Sequence, residues 1–305
     1  MARRKSKGKR IAYVIIGIFF AVAAIVYFAS GGKTDIITQA GLTDAPAPSD
    51  GKMYVSFIDV GQGDCTLITC KDTAILIDCG EYAEYETVRN YLLNKRIFDI
   101  DLIIATHPHT DHIGGMSKIL YSFKIGDVIM PKIPDEIIPT TASYEKFMLA
   151  VSKRAKNVIA AEVGKTYSYG DLKIQILGPV KDYDDLNNIS VVAKITYGKT
   201  SVMMTGDTQK QAEWDMLKND YDYSADLLKV GHHGSKNSSS YEWLEAVKPE
   251  YAVISCGKNN DYGHPNKQTI KRLDKYGVKY FRTDLLGNIV FVSDGNKFSK
   301  QETKR

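Results

Sequence analysis

Hydrophobic and polar positions divide the chain into three regimes. Residues 11–29 form an uninterrupted uncharged run. At about 1.5 Å per residue, this is just long enough to cross a bilayer core as a helix. The basic residues Arg3, Arg4, Lys5, Lys7, Lys9 and Arg10 precede it, and such a flank stays on the cytoplasmic side. The pattern therefore predicts a basic cytoplasmic head over 1–10 and a transmembrane anchor over 11–30. The protein would be single-pass in the plasma membrane, with its C-terminal part extracellular. The alternative is a secreted protein whose signal peptide is cleaved, but Val26-Tyr27-Phe28-Ala29-Ser30 offers no clean small-x-small cleavage site. Residues 31–52 lack apolar periodicity and carry Gly31-Gly32 and Ala45-Pro46-Ala47-Pro48, which reads as a flexible linker.

From Met53 onward, short apolar runs punctuated by turn residues replace the long one. They predict strands over 54–58, 66–68 and 74–77, a helix over 84–96, a buried strand over 101–105 and a helix over 112–123. The middle yields a strand at 127–130, a helix at 143–156 and a strand at 158–161. Beyond it come strands at 172–177, 191–197, 201–205 and 225–230, with helices at 209–219 and 239–247. Further elements fall at 251–255, 268–276, 279–282 and 288–292. This is one α/β domain over 53–295, followed by a polar tail at 296–305.

Charge and cysteine change little in that picture. The formal net charge of the 305 residues is +4, of which the head supplies +6, so residues 11–305 carry 4 − 6 = −2. A near-neutral domain exerts no global pull on nucleic acid and leaves only a local basic groove open. Cys65, Cys70, Cys79 and Cys256 include no Cys-x-x-Cys pair. Cys65 and Cys70, in or beside apolar runs, read as small core residues rather than ligands. In an exported domain the four could form two disulfides in three pairings, although the reading favours free thiols.

Histidine changes the picture. All six fall in three clusters, His107/His109/His112, His232/His233 and His264, each following an apolar strand. Thr106-His107-Pro108-His109-Thr110-Asp111-His112 concentrates imidazoles and a carboxylate, the usual ligands of zinc and similar ions. Alternate residues of an extended segment point the same way, so His107 and His109 converge on one ion, while Asp111 and His112 reach a second.

His-x-His-x-Asp-His resembles the signature of the metallo-β-lactamase-fold hydrolases. Five further segments resemble one branch, the corresponding domain of ComEC-type DNA-internalisation competence proteins. These are Phe57-Ile58-Asp59-Val60-Gly61-Gln62-Gly63-Asp64, Ile77-Asp78-Cys79-Gly80, Thr205-Gly206-Asp207, Leu228-Lys229-Val230-Gly231-His232-His233-Gly234-Ser235 and Tyr262-Gly263-His264-Pro265-Asn266. The resemblance implies an αββα sandwich holding two divalent ions, Zn2+ or Mn2+. It implies His107 and His109 on the first ion, Asp111 and His112 on the second, Asp207 bridging them, and His264 as the last ligand of the second. Asp207 also precedes a predicted helix, where an N-cap would sit.

His232 or His233 is implied as proton donor or further ligand, with the two roles undivided. Asp111 is implied to orient the attacking water as well as to bind metal. Asp64, Asn187, Asn188, Lys229 and Ser235 are candidate substrate contacts, although Asp64 reads equally well as part of a structural glycine turn. The region Asp185-Leu186-Asn187-Asn188-Ile189-Ser190-Val191 carries no histidine where many relatives place a third one on the first ion. That weakens both zinc preference and the β-lactamase reading.

The expected function is a membrane-anchored, outward-facing metal-dependent phosphodiesterase or nuclease acting on DNA or a nucleotide diester. The alternatives are hydrolysis of a cell-envelope phosphodiester such as a phosphorylcholine ester, or of a lactone or β-lactam. A tethered, non-catalytic metal-binding module is a third reading.

Overall fold

A computed structural model describes residues 50–302. The predicted head and anchor, and all but the end of the linker, lie outside the described residues. Among the described residues, no helix is long and apolar enough to cross a membrane.

The first half opens with β1 (Met53–Phe57), β2 (Thr66–Cys70) and β3 (Thr73–Ile77), an antiparallel meander. Helix α1 (Tyr85–Asn94) then carries the chain to β4 (Asp99–Ile104), which lies parallel to β3. Two short helices follow, α2 (Thr110–Ile113) and α3 (Met116–Ser122), where the sequence pattern predicts one. Gly114 and Gly115 at the junction keep right-handed helical backbone and serve close packing. A Cβ on Gly114 would lie 2.5 Å from the Tyr82 nitrogen, and one on Gly115 2.9 Å from the Cys79 carbonyl oxygen. The helix entry thus packs against the turn that follows β3. Strand β5 (Lys124–Met130), helix α4 (Ala142–Arg154) and strand β6 (Asn157–Ala160) complete this half.

The second half repeats the scheme. An antiparallel run, β7 (Thr166–Tyr169), β8 (Leu172–Gly178), β9 (Val192–Tyr197) and β10 (Thr200–Met204), is followed by parallel strands β11 (Leu227–Lys229), β12 (Tyr251–Ile254) and β13 (Lys279–Arg282). Helices α5 (Lys210–Met216), α6 (Tyr241–Val247) and α7 (Lys267–Lys275) connect the parallel strands, and α8 (Thr283–Leu286) follows β13. The chain then returns to the first sheet as β14 (Ile289–Ser293) and β15 (Phe298–Lys300). One sheet has the order β15-β14-β1-β2-β3-β4-β5-β6, the other β13-β12-β11-β10-β9-β8-β7. Residues 298–300, expected within the polar tail, instead pair with β14, because Phe298 buries its ring against Phe291. Strand β7 also goes unpredicted, since its partly exposed Thr-Tyr-Ser-Tyr carries no aliphatic run.

Three apolar layers hold the sheets and helices together. Val55, Phe57, Ile75, Leu102 and Ile104 of the first sheet meet Ile174, Ile195, Val202 and Val253 of the second. On its other face the first sheet packs Leu76, Ile103 and Val128 beneath Val88, Met116 and Phe147 of the helices. The second sheet does the same with Met203, Leu228 and Ala252 beneath Met216, Trp243 and Leu273. Alternation along β4, with Leu102 and Ile104 on one face and Ile103 on the other, is what two covered faces require. The result is the expected αββα sandwich. All four cysteines are buried and free.

Candidate metal centre

Chemistry-bearing residues collect where strands end. His107 follows β4, Asp207 follows β10, His232 and His233 follow β11, and His264 lies in the loop after β12. Ligand sites in α/β sheets form at such C-terminal strand edges. The sequence's three histidine clusters are therefore brought together by topology.

Asp111, His112, Asp207 and His233 form the tightest group, their ligating atoms all within 4.8 Å of one another. His112 Nε2 lies 3.4 Å from Asp207 Oδ1 and 3.8 Å from Asp111 Oδ2. His233 Nε2 lies 3.1 Å from Asp111 Oδ2 and 3.4 Å from Asp207 Oδ2. Beside this group, His107 Nε2 and His109 Nδ1 approach to 2.9 Å, and His107 Nε2 is 3.9 Å from Asp207 Oδ2. Asp207 thus faces both pairs, the placement a bridging ligand needs. The N-cap of α5 is Gln209, not Asp207.

Second-layer bonds fix which ring nitrogens face inward. His112 Nδ1 is 2.8 Å from Asp78 Oδ2. Asp78 in turn accepts from the Thr106 backbone N–H at 2.8 Å and the Thr106 hydroxyl at 2.7 Å. His233 Nδ1 lies 3.0 Å from the Ser255 carbonyl oxygen, which can only accept. Both rings therefore keep Nδ1 engaged with acceptors behind them and turn Nε2 toward the carboxylates. Ser190 Oγ accepts the Asp207 backbone N–H at 3.1 Å. The histidine-free loop thus steadies the central carboxylate rather than contributing a ring.

Electrostatics agree with a cation-demanding site. Burial opposes charge on His112 and His233, yet Asp207, with Asp111 and Asp78 around the first and Asp64 and Asp111 around the second, holds both rings well above ordinary imidazole. Burial would raise Asp207 and Asp111, but the same rings hold both carboxylates below the usual range. His107, buried and beside His112, is pushed well below ordinary imidazole and is a neutral donor. His112 Nε2 and Asp207 Oδ1 are buried without any hydrogen-bond partner. Two such orphans 3.4 Å apart are costly unless a cation satisfies them. The residues present fit divalent metal.

Other site residues take less expected positions. His264 stands one ring further out, its centroid 6.1 Å from His233 and 5.6 Å from His232, and His233 occupies the place beside His112 that the sequence assigns to His264. His232 is partly exposed, with Nε2 3.6 Å from Asp207 Oδ2. The expectation that Lys229 meets a substrate phosphate is corrected: its side chain is fully buried and its Nζ pairs with Asp64 Oδ2 at 2.6 Å. Asp64 is likewise withdrawn from substrate, since the same carboxylate reaches His233 Nδ1 at 3.2 Å. Asn188 and Ser235 are buried, with Asn188 Oδ1 accepting from the Gln209 N–H and Ser235 Oγ from the Asn237 N–H. Asn187 keeps its buried side-chain oxygen without a hydrogen-bond partner.

Sequence reasoning overlooked Asp78 as a functional group. Its signal was the placement of Asp78-Cys79-Gly80 at a strand end beside the metal loop.

Comparison with known proteins completes the description. The family model described as the metallo-beta-lactamase superfamily matches residues 58–258. ComE operon protein 3 of Bacillus subtilis is 30% identical over 256 residues, covering 78% of this chain and 32% of that protein. Competence protein ComA of Neisseria gonorrhoeae is 29% identical over 249 residues, covering 80% and 33%. The chain thus spans about a third of the length of these relatives. Exodeoxyribonuclease WalJ of Streptococcus pneumoniae is 24% identical over 132 residues, covering 43% and 46%. Among solved structures, the metallo-beta-lactamase fold protein YhfI of Bacillus subtilis matches 80% of this chain and 100% of its own, with a TM-score of 0.55 at 16% identity. A family model over most of the domain, matched to a fold and a ligand cluster of the same kind, means that the chain belongs to the metallo-beta-lactamase superfamily and is a metal-dependent hydrolase.

Proposed function

We propose that the chain is a phosphodiesterase that cleaves nucleic acid, anchored in the plasma membrane by residues 11–30 with the hydrolase domain facing outward. The observation that carries the reading is the cluster in which Asp207 faces His107, with His109 beside it, on one side and His112 and His233, with Asp111 between them, on the other. Relatives named for competence and for exodeoxyribonuclease activity support nucleic acid over other esters.

Two divalent ions held there, Zn2+ or Mn2+, would supply Lewis acidity toward a phosphoryl oxygen and lower the pKa of water toward neutrality. His107, His109 and Asp207 would hold the first, and Asp111, His112, His233 and Asp207 the second. Low imidazole content around the first suits Mn2+ better than an all-histidine site would. Asp78 keeps the His112 ring turned inward, and the Ser255 carbonyl does so for His233. Asp111, on the solvent side of the cluster, orients the attacking water. His232 is partly exposed with Nε2 toward Asp207, and burial draws its ring below ordinary imidazole, so that it gives up a proton readily to the leaving alkoxide.

The test is hydrolysis by the full chain in mild detergent, stripped of metal and reloaded with Zn2+ or Mn2+. Bis(p-nitrophenyl) phosphate and a thymidine dinucleotide serve as substrates. Metal-restored cleavage of both is expected. Metal bound without cleavage of either would overturn the reading.

A further inference from the structure

Tyr262 is the most exposed large hydrophobic residue among the described residues, 72% accessible. A single exposed aromatic is ordinary, but this one is placed. Its ring stacks on His264, with centroids 5.8 Å apart and planes 20° from parallel. His264 in turn stands 5.6 Å from His232 and 6.1 Å from His233. A file of rings therefore runs from the metal cluster outward and ends on a tyrosine left largely uncovered by the described residues.

The loop presenting it is braced. Asn260 Nδ2 donates to the carbonyls of Gly257 and His264 at 2.9 and 2.6 Å, and its Oδ1 accepts the His264 N–H at 3.0 Å. Gln62 Oε1 accepts the Gly257 N–H at 3.1 Å, tying the loop to the glycine turn after β1. The Asn266 N–H reaches the Gly234 carbonyl at 2.9 Å, tying it to the loop of His232 and His233. An exposed ring on a mobile loop would lose entropy on binding anything, whereas one on a loop braced from within and tied at two outside points is preorganised. Lys258 and Lys267 flank the loop in sequence, both exposed, and supply charge for a phosphate chain.

We propose that Tyr262 is a stacking platform for a nucleobase of a single-stranded nucleic acid whose phosphate lies at the metal centre, an inference that rests on the phosphodiesterase reading above. Stacking on a braced ring is tolerant of base identity and contributes to affinity base by base. It also gives the near-neutral domain a means of holding nucleic acid that does not depend on a basic surface. Asn187, with its free oxygen, is not needed for this contact.

The experiment measures binding of two fluorescent, cleavage-resistant probes to the metal-loaded full chain. One is a phosphorothioate thymidine octamer; the other is an abasic octamer of the same charge. The wild type is expected to prefer the thymidine octamer about tenfold. Tyr262→Ala should erase that preference while keeping wild-type metal content, and Tyr262→Phe should keep it. A wild type indifferent to the bases, a Tyr262→Ala variant that retains the preference or loses metal, or a Tyr262→Phe variant as poor as the alanine, would each overturn the inference. Failure of the phosphodiesterase reading shows separately, as absence of cleavage of the thymidine dinucleotide, because neither probe in the binding assay is cleaved.

Discussion

Two loops meet over Asp207, and they are held in place by different means. Thr106 to His112 leaves β4 along regular backbone and enters α2 within a few residues. Its histidine is oriented from the neighbouring strand end, where Asp78 bonds both His112 and Thr106. Gly231–Gly234 instead places His232 at φ 49° and His233 at φ 52°, and Ser239 follows at φ 52°. Three non-glycine residues in the left-handed region within nine positions cost on the order of 1 kcal/mol each and persist only where the surroundings over-determine them.

Here the surroundings do so. Arg272 of α7 donates to the Ser239 and Ser238 carbonyls at 2.7 Å each. Glu213 of α5 accepts the N–H groups of Ser239 and Ser240 at 2.5 and 2.8 Å. The buried Lys229–Asp64 pair lies beneath His233. The first loop is thus positioned by its neighbours in the sheet, and the second by charges imported from distant parts of the chain.

The sharpest way to break this comparison is at Lys229. Replacing it with methionine takes the lysine partner from the buried Asp64 carboxylate and leaves it only His233, which costs about 3–5 kcal/mol. Denaturant unfolding should show that loss, and exchanging both residues for apolar ones should recover most of it.

Glu213 provides the next largest effect, and it carries a sign. Burial pushes its carboxyl up to about 7 from 4.5, against the opposing pull of the Ser239 and Ser240 N–H groups and of Arg272. A raised folded-state pKa means a contribution fully present below the unfolded value and lost as pH rises through the folded one. The difference in unfolding free energy between Glu213→Gln and wild type should therefore shift toward the glutamine variant between pH 4.5 and 7, by about 3 kcal/mol in total. A difference flat across that window would show that Glu213 is ionised throughout.

The smallest effect belongs to the first loop. Asp78→Ala frees the His112 ring without stranding a charge, and should weaken metal binding about 10–100-fold, read by competition with a chelator.

The same contrast explains what the sequence made legible. His107, His109, Asp111 and His112 fall within six residues, so their chemistry could be read from spacing alone, and β4 and the α2–α3 entry lie beside them. The αββα architecture was legible only through the five ordered motifs, because periodicity says α/β and does not say which faces meet. What escaped was non-local. Nothing near Lys229 in sequence reveals that Asp64, far along the chain, claims its charge, so a buried strut resembled a phosphate contact. His233, one of two rings whose roles spacing left undivided, joins the cluster for a similar reason: a left-handed turn at His232 and His233 decides which of them swings inward. Asp78 was visible as a motif, but its role requires knowing that β3 and β4 are adjacent and parallel.

The central claim is that imidazoles and carboxylates from both loops form one metal-dependent hydrolytic centre around Asp207. The most direct measurement titrates Mn2+ or Zn2+ into the stripped full chain, following bound metal by elemental analysis and cleavage of bis(p-nitrophenyl) phosphate together. The account predicts that cleavage appears as the site fills to two ions per chain, and that Asp207→Ala binds at most one and loses about a hundredfold or more of the activity. Cleavage that survives chelation, or an Asp207→Ala variant that fills and turns over like the wild type, would contradict it.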